Sequence, residues 1–99
     1  MAKTFNSQLG NVKITDQGFE RKKKGDWENI LDHYPEEKIV DSAKYSEIEG
    51  LELEHGSIHP CIKVKISGEW KHLFFEATDP VEKILNRLKY KWQAWRQNH

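Results

Sequence analysis

Cysteine is nearly absent: Cys61 is the only one in 99 residues. No intramolecular disulfide can form, which fits a reducing, cytoplasmic setting. The six glycines stand singly, so no glycine-rich loop is present to cradle a phosphate. No run approaches the ~18 apolar residues that a membrane span requires. Residues 1–8 are polar and lack the apolar segment of a secretory leader. Neither sign of charge is in excess, with Lys+Arg and Asp+Glu at 16 each. That balance excludes a uniformly basic nucleic-acid binder but allows a local basic face.

What is present suffices for one core. Hydrophobic residues make up 36% and aromatics 11%, including four Trp, so a chain disordered throughout is excluded. The length predicts a single domain, read as a flexible lead-in over 1–10 and one folded unit over 11–99.

Val12 and Ile14 alternate with Lys13 and Thr15, the period of a half-buried strand. Asp16-Gln17-Gly18 then predicts a hairpin turn, and a second strand runs from Phe19 into Arg21-Lys22-Lys23-Lys24. After Gly25, Trp27, Ile30, Leu31 and Tyr34 fall at i, i+3, i+4 and i+7. Residues 26–34 therefore read as a short helix, or as an extended loop with aromatic anchors. Lys38-Ile39-Val40 reads as a brief strand and Tyr45-Ser46-Glu47-Ile48 as a turn into the next. Leu51 and Leu53 alternate with Glu52 and Glu54, with Gly50 marking a bulge. Ile62, Val64 and Ile66 alternate with Lys63 and Lys65, and Ser67-Gly68 closes a hairpin into a strand from Trp70 to Glu76. Lys63 and Lys65 are predicted to pair across the sheet with Glu52 and Glu54.

The last segment carries the strongest signal. Asp79 is placed to cap, Pro80 suits the first helical position, and Glu82 follows at capping-box distance. Val81, Ile84, Leu85, Leu88, Trp92 and Trp95 form one apolar stripe. Burying about six such side chains contributes roughly 10 kcal/mol gross, so the helix, from Asp79 to about Gln97, is predicted to dock on the sheet. The fold class predicted is α+β: a bent antiparallel sheet or partly open barrel capped by a C-terminal amphipathic helix.

This order of hairpins, then one capped helix with Trp late in its stripe, resembles the pleckstrin-homology-like domain in its small prokaryotic form. The resemblance runs from Val12 to Trp95. Its best-matching parts are Tyr45-Ser46-Glu47-Ile48, the Ile62 to Phe75 hairpin, and Asp79-Pro80 opening a helix that holds Trp92 and Trp95. It implies a curved sheet plugged by the helix and a non-enzymatic module that binds a protein or peptide. Members that bind phosphoinositides use a Lys…(Lys/Arg)-x-Arg arrangement in the first hairpin. Here Lys13 is followed by Arg21 and Lys23, and the final Arg has no counterpart.

Lys13, Arg21, Lys22, Lys23 and Lys24 form a candidate anion site for a phospholipid headgroup or nucleic acid; otherwise they are a solvated strand end. Trp27, Trp70 and Trp95 are candidate partner-docking residues. Basic residues interleave with Tyr90, Trp92 and Trp95 on the last helix, a pattern that also suits a nucleic-acid strand. His55, His59 and Cys61 carry zinc-ligand chemistry, with His72 the nearest fourth ligand by strand pairing, but the spacing does not complete a metal site. Cys61 has neither a glycine elbow nor a helix N-terminus to activate it. No catalytic residue, metal or cofactor is predicted, and the oligomeric state is left open.

Overall fold

The computed structural model describes residues 2–22, 34–55 and 59–98. Its first sheet has four antiparallel strands in chain order: β1 (Lys3–Phe5), β2 (Val12–Ile14), β3 (Gly18–Arg21) and β4 (Ser42–Lys44). Val12 and Ile14 turn inward and are fully buried, while Lys13 between them faces solvent. The predicted turn forms: the Thr15 amide donates to the Gly18 carbonyl at 2.8 Å. Gly18 is required there, because a Cβ would stand 2.0 Å from the Ala43 carbonyl oxygen. The predicted lead-in holds a strand: Phe5 pairs with Val12 and Lys3 with Ile14, and Ser7 and Leu9 are buried.

The second sheet is a three-stranded meander of β5 (Ile48–Glu54), β6 (Cys61–Ile66) and β7 (Glu69–Phe74). Ser67 and Gly68 both have positive φ, at 53° and 80°, which is the turn a right-twisted two-residue hairpin needs. The register slips between Ile48 and Gly50, as the glycine suggested. Glu52 stands opposite Lys63, with Nζ–Oε2 at 3.8 Å. The second predicted pair does not form, because antiparallel strands run oppositely. Once Glu52 faces Lys63, Glu54 must face Cys61, and Lys65 must face Gly50.

Two further expectations change. The strand predicted at Lys38–Val40 is a 3₁₀ turn (Glu36–Lys38) followed by a single parallel bridge from Ile39 to His72. That bridge and the Val40 amide, bonded to the His72 carbonyl at 3.0 Å, lie along the outer edge of β7. The segment 26–34, with Trp27, lies outside the described residues except for Tyr34.

The chain closes with α1 (Val81–Asn98). Val81, Ile84, Leu85 and Leu88 are buried in the main core with Val12, Ile14, Phe19, Val64, Leu73 and Phe75, and Trp92 and Trp95 pack partly buried against it. At ~1.5–3 kcal/mol for each fully buried side chain, the four buried residues alone make the helix a major contributor to the core. Asp79 does not act as a simple cap. Its carboxylate accepts from Ser7 Oγ at 2.8 Å, the Gln8 amide at 3.0 Å and the Glu76 amide at 3.0 Å, so it ties the N-terminal segment to the helix entry. At the far end Lys91 pairs with Asp16 in the β2–β3 turn, and that ammonium holds the Asp16 carboxyl below its ordinary range. The result is an α+β fold of two antiparallel sheets, not joined into one closed sheet, with one C-terminal helix across them.

Candidate functional site

On the outer face of the second sheet, alternation aligns Gly50, Glu52 and Glu54 of β5 with Lys65, Lys63 and Cys61 of β6 and with Trp70, His72 and Phe74 of β7. At one end of this face Trp70 lies beside Gly50, where a Cβ would come within 3.0 Å of the indole. The Lys63 and Lys65 ammonium groups sit 5.0 and 5.9 Å from its ring centroid, within range of cation–π attraction.

At the other end, Cys61 is fully buried in a small second core with Leu9, Ile39 and Phe74, flanked by Tyr34. Its Sγ is 3.4 Å from Glu54 Oε2 and 3.3 Å from His72 Nδ1, and those two atoms are 3.8 Å apart. The three residues come from three adjacent strands. Glu54 is directly opposite Cys61, and His72 is its diagonal neighbour on the same face. Ring packing fixes the imidazole: His72 stacks on Phe74 at 5.4 Å and meets Tyr34 at 5.5 Å. Burial, then the hydrogen bond to Glu54, pushes the Cys61 thiol up to about 12, and burial lowers His72. At neutral pH the pair is therefore a thiol and a neutral imidazole. That is not the thiolate–imidazolium of a cysteine hydrolase.

Of the residues with zinc-ligand chemistry, Cys61 and His72 meet, and the third member of their cluster is Glu54. His59 instead has its Nδ1 3.6 Å from Glu76 Oε1. Spacing of His and Cys alone pointed away from Glu54. The signal that could have found it is the strand register, because Glu52 opposite Lys63 forces Glu54 opposite Cys61.

The predicted basic cluster is split. Arg21 is buried, 6% exposed, and its guanidinium turns inward. It donates to the Gly10 carbonyl at 3.0 Å, to the Phe74 carbonyl and to Ser7 Oγ at 3.3 Å, and lies 4.5 Å from the Phe75 ring centroid. Burial lowers it to about 10, against the opposing pull of Asp41 and Asp79, so it stays charged at neutral pH. Lys13 and Lys22 are exposed, and Lys13 faces Glu20 across the β2–β3 ladder. Lys23 and Lys24 lie outside the described residues, as does Trp27. Trp70 and Trp95 are each half-buried, on the outer face of the second sheet and on the core side of α1 respectively. Tyr90 is the large apolar side chain most exposed among the described residues.

A groove of about 500 Å³ opens where the end of β5 meets the first turn of α1. It is lined by apolar Pro60, Ala77, Pro80 and Val81 and by His55, Asp79, Glu82 and Lys83. No sequence pattern announced it, because it is made by the chain's turn at Ala77–Pro80 rather than by one element. Comparison of the chain with family models, characterised proteins and solved structures finds no match. Among the described residues, no helix is long and apolar enough to cross a membrane.

Proposed function

We propose that the protein is a non-enzymatic binding module of the pleckstrin-homology-like kind, and that its ligand is a peptide segment anchored by an apolar side chain. The observation that carries this reading is the groove beside α1. Apolar Pro60, Ala77, Pro80 and Val81 line it together with side chains of both charge signs, and His55, which follows the edge strand β5, lines it too. Apolar pockets next to a sheet edge suit an extended peptide, with main-chain hydrogen bonds for affinity and a side-chain pocket for selectivity. The order of elements supports the kinship: four strands, then three, then a C-terminal helix. The alternative ligand, a phospholipid headgroup or nucleic acid, draws among the described residues on Lys13 and Lys22. Arg21 weighs against it, because its donors are engaged inside the protein.

Peptides selected by display against the full chain at physiological salt test the reading. Ala77 is exposed in the groove, so Ala77→Trp obstructs it without disturbing the core. Selected peptides are expected to lose about tenfold or more in affinity, the ~1.4 kcal/mol that one blocked anchor is worth, while Lys13→Glu and Lys22→Glu bind as before. The reverse pattern, with affinity falling steeply as salt rises, overturns the peptide reading in favour of phosphate. Failure to select any peptide also counts against it.

A further inference from the structure

We propose that Glu54, Cys61 and His72 form a zinc site. A thiol sulfur, an imidazole nitrogen and a carboxylate oxygen form a mixed soft and borderline set that suits Zn²⁺ and is poorly matched to Mg²⁺ or Ca²⁺. Their geometry agrees with one small ion. Tetrahedral zinc with a Zn–S bond near ~2.3 Å and Zn–N and Zn–O bonds near ~2.0–2.1 Å places its ligand atoms roughly 3.3–3.6 Å apart. The observed edges are 3.4 Å (S–O), 3.3 Å (S–N) and 3.8 Å (N–O). Only the N–O edge is long, and it closes by a few tenths of an ångström if Glu54 moves. That side chain is 42% exposed and has room to do so.

The surroundings favour the bound state. All three residues project from neighbouring positions on hydrogen-bonded strands, so little backbone entropy is lost on binding. One ion with a thiolate, a carboxylate and a neutral imidazole sums to zero charge, which lessens the cost of placing it beside the apolar Leu9, Ile39 and Phe74. Lys63, opposite His72 in the ladder, has its ammonium 3.8 Å from Glu52 and 5.0 Å from the Trp70 ring. Binding forms a Zn–S bond as the S–H bond of Cys61 breaks and its proton passes to solvent. Three protein ligands leave the fourth position to a water, reached from the Glu54 side.

The test uses the full chain, reduced and freed of metal. Zn²⁺ is titrated against a competing chelator of known affinity, and Co²⁺ is used as a coloured stand-in. One zinc per chain is expected, with a thiolate-to-cobalt charge-transfer band. Glu54→Gln and His72→Gln each weaken zinc binding by at least about tenfold, the low end of what even residues outside the ligand set produce. Cys61→Ser abolishes the charge-transfer band, and Glu52→Gln binds like the parent chain. Should Cys61→Ser misfold, Glu54→Gln still decides, because that side chain is partly exposed and its replacement is nearly isosteric. Zinc binding unchanged in Glu54→Gln and His72→Gln, or a cobalt complex without the sulfur band, overturns the site.

Discussion

Replacing Arg21 by Ala lowers folding stability by roughly 3–5 kcal/mol, the range for removing one member of a buried charged network. Arg21 is the residue through which β3 reaches β7, since its guanidinium donates to the Phe74 carbonyl, to the Gly10 carbonyl and to Ser7 Oγ. Truncation leaves those acceptors without their donor in a site closed to water, and each deserted group costs about 1–3 kcal/mol. It also removes the cation from the face of Phe75 and leaves Asp41 and Asp79 without the charge that faces them. In a domain of this size the change corresponds to a fall in melting temperature of very roughly 15–30 °C. Arg21→Lys does not rescue it, because one ammonium cannot reproduce a planar fork that reaches three acceptors. Urea and thermal unfolding read the outcome. A loss within the ~0.5 kcal/mol of an ordinary surface substitution would mean that Arg21 works as a solvated cation instead.

Leu88→Ala is expected to cost roughly 3 kcal/mol, within the ~2–5 kcal/mol range for a fully buried leucine. Leu88 is wholly inaccessible and sits mid-helix among residues drawn from both sheets and α1. Its removal leaves a void that the surrounding strands cannot easily fill, because they are held by ladders in fixed register. Leu88→Met keeps the volume and is expected to cost less than ~1.5 kcal/mol. Replacing exposed Tyr90, two residues on, should change little. Denaturant midpoints of the three variants separate the cases. Equal stability of Leu88→Ala and the parent would mean that the helix does not carry its share of the core.

Elements with a local signal were legible from the residues. Ile62, Val64 and Ile66 against Lys63 and Lys65 marked β6, Ser67-Gly68 its turn, and Gly50 the bulge. The 3.6-residue stripe from Val81 to Leu88 marked the buried side of α1. The misreadings share a cause: each depends on a partner far away in the chain. Lys3-Thr4-Phe5 is too short and polar to look like a strand until Val12–Ile14 is laid beside it. The basic run that starts at Arg21 reads as an anion site or a solvated strand end, yet Arg21 turns inward to carbonyls 11 and 53 residues away. Asp79 reads as a helix cap because Ser7 and Gln8, which take its carboxylate, are 72 and 71 residues distant. Glu54 reads as a partner for lysine on charge alone, yet its register neighbour is Cys61. The candidate site is therefore half legible: its thiol and imidazole show their ligand chemistry in the sequence, whereas only the strand pairing adds the carboxylate.

The architecture, and with it the groove and the outer face, depends on α1 lying sealed across both sheets. Amide hydrogen exchange on the intact chain tests this most directly, because it reports opening residue by residue. If the helix and the sheets form one cooperative core, the amides of Ile84, Leu85 and Leu88 exchange as slowly as those of Val64 and Leu73, and all open only with global unfolding. Exchange of the helix amides near free-peptide rates, while the strand amides stay protected, would contradict the sealed lid.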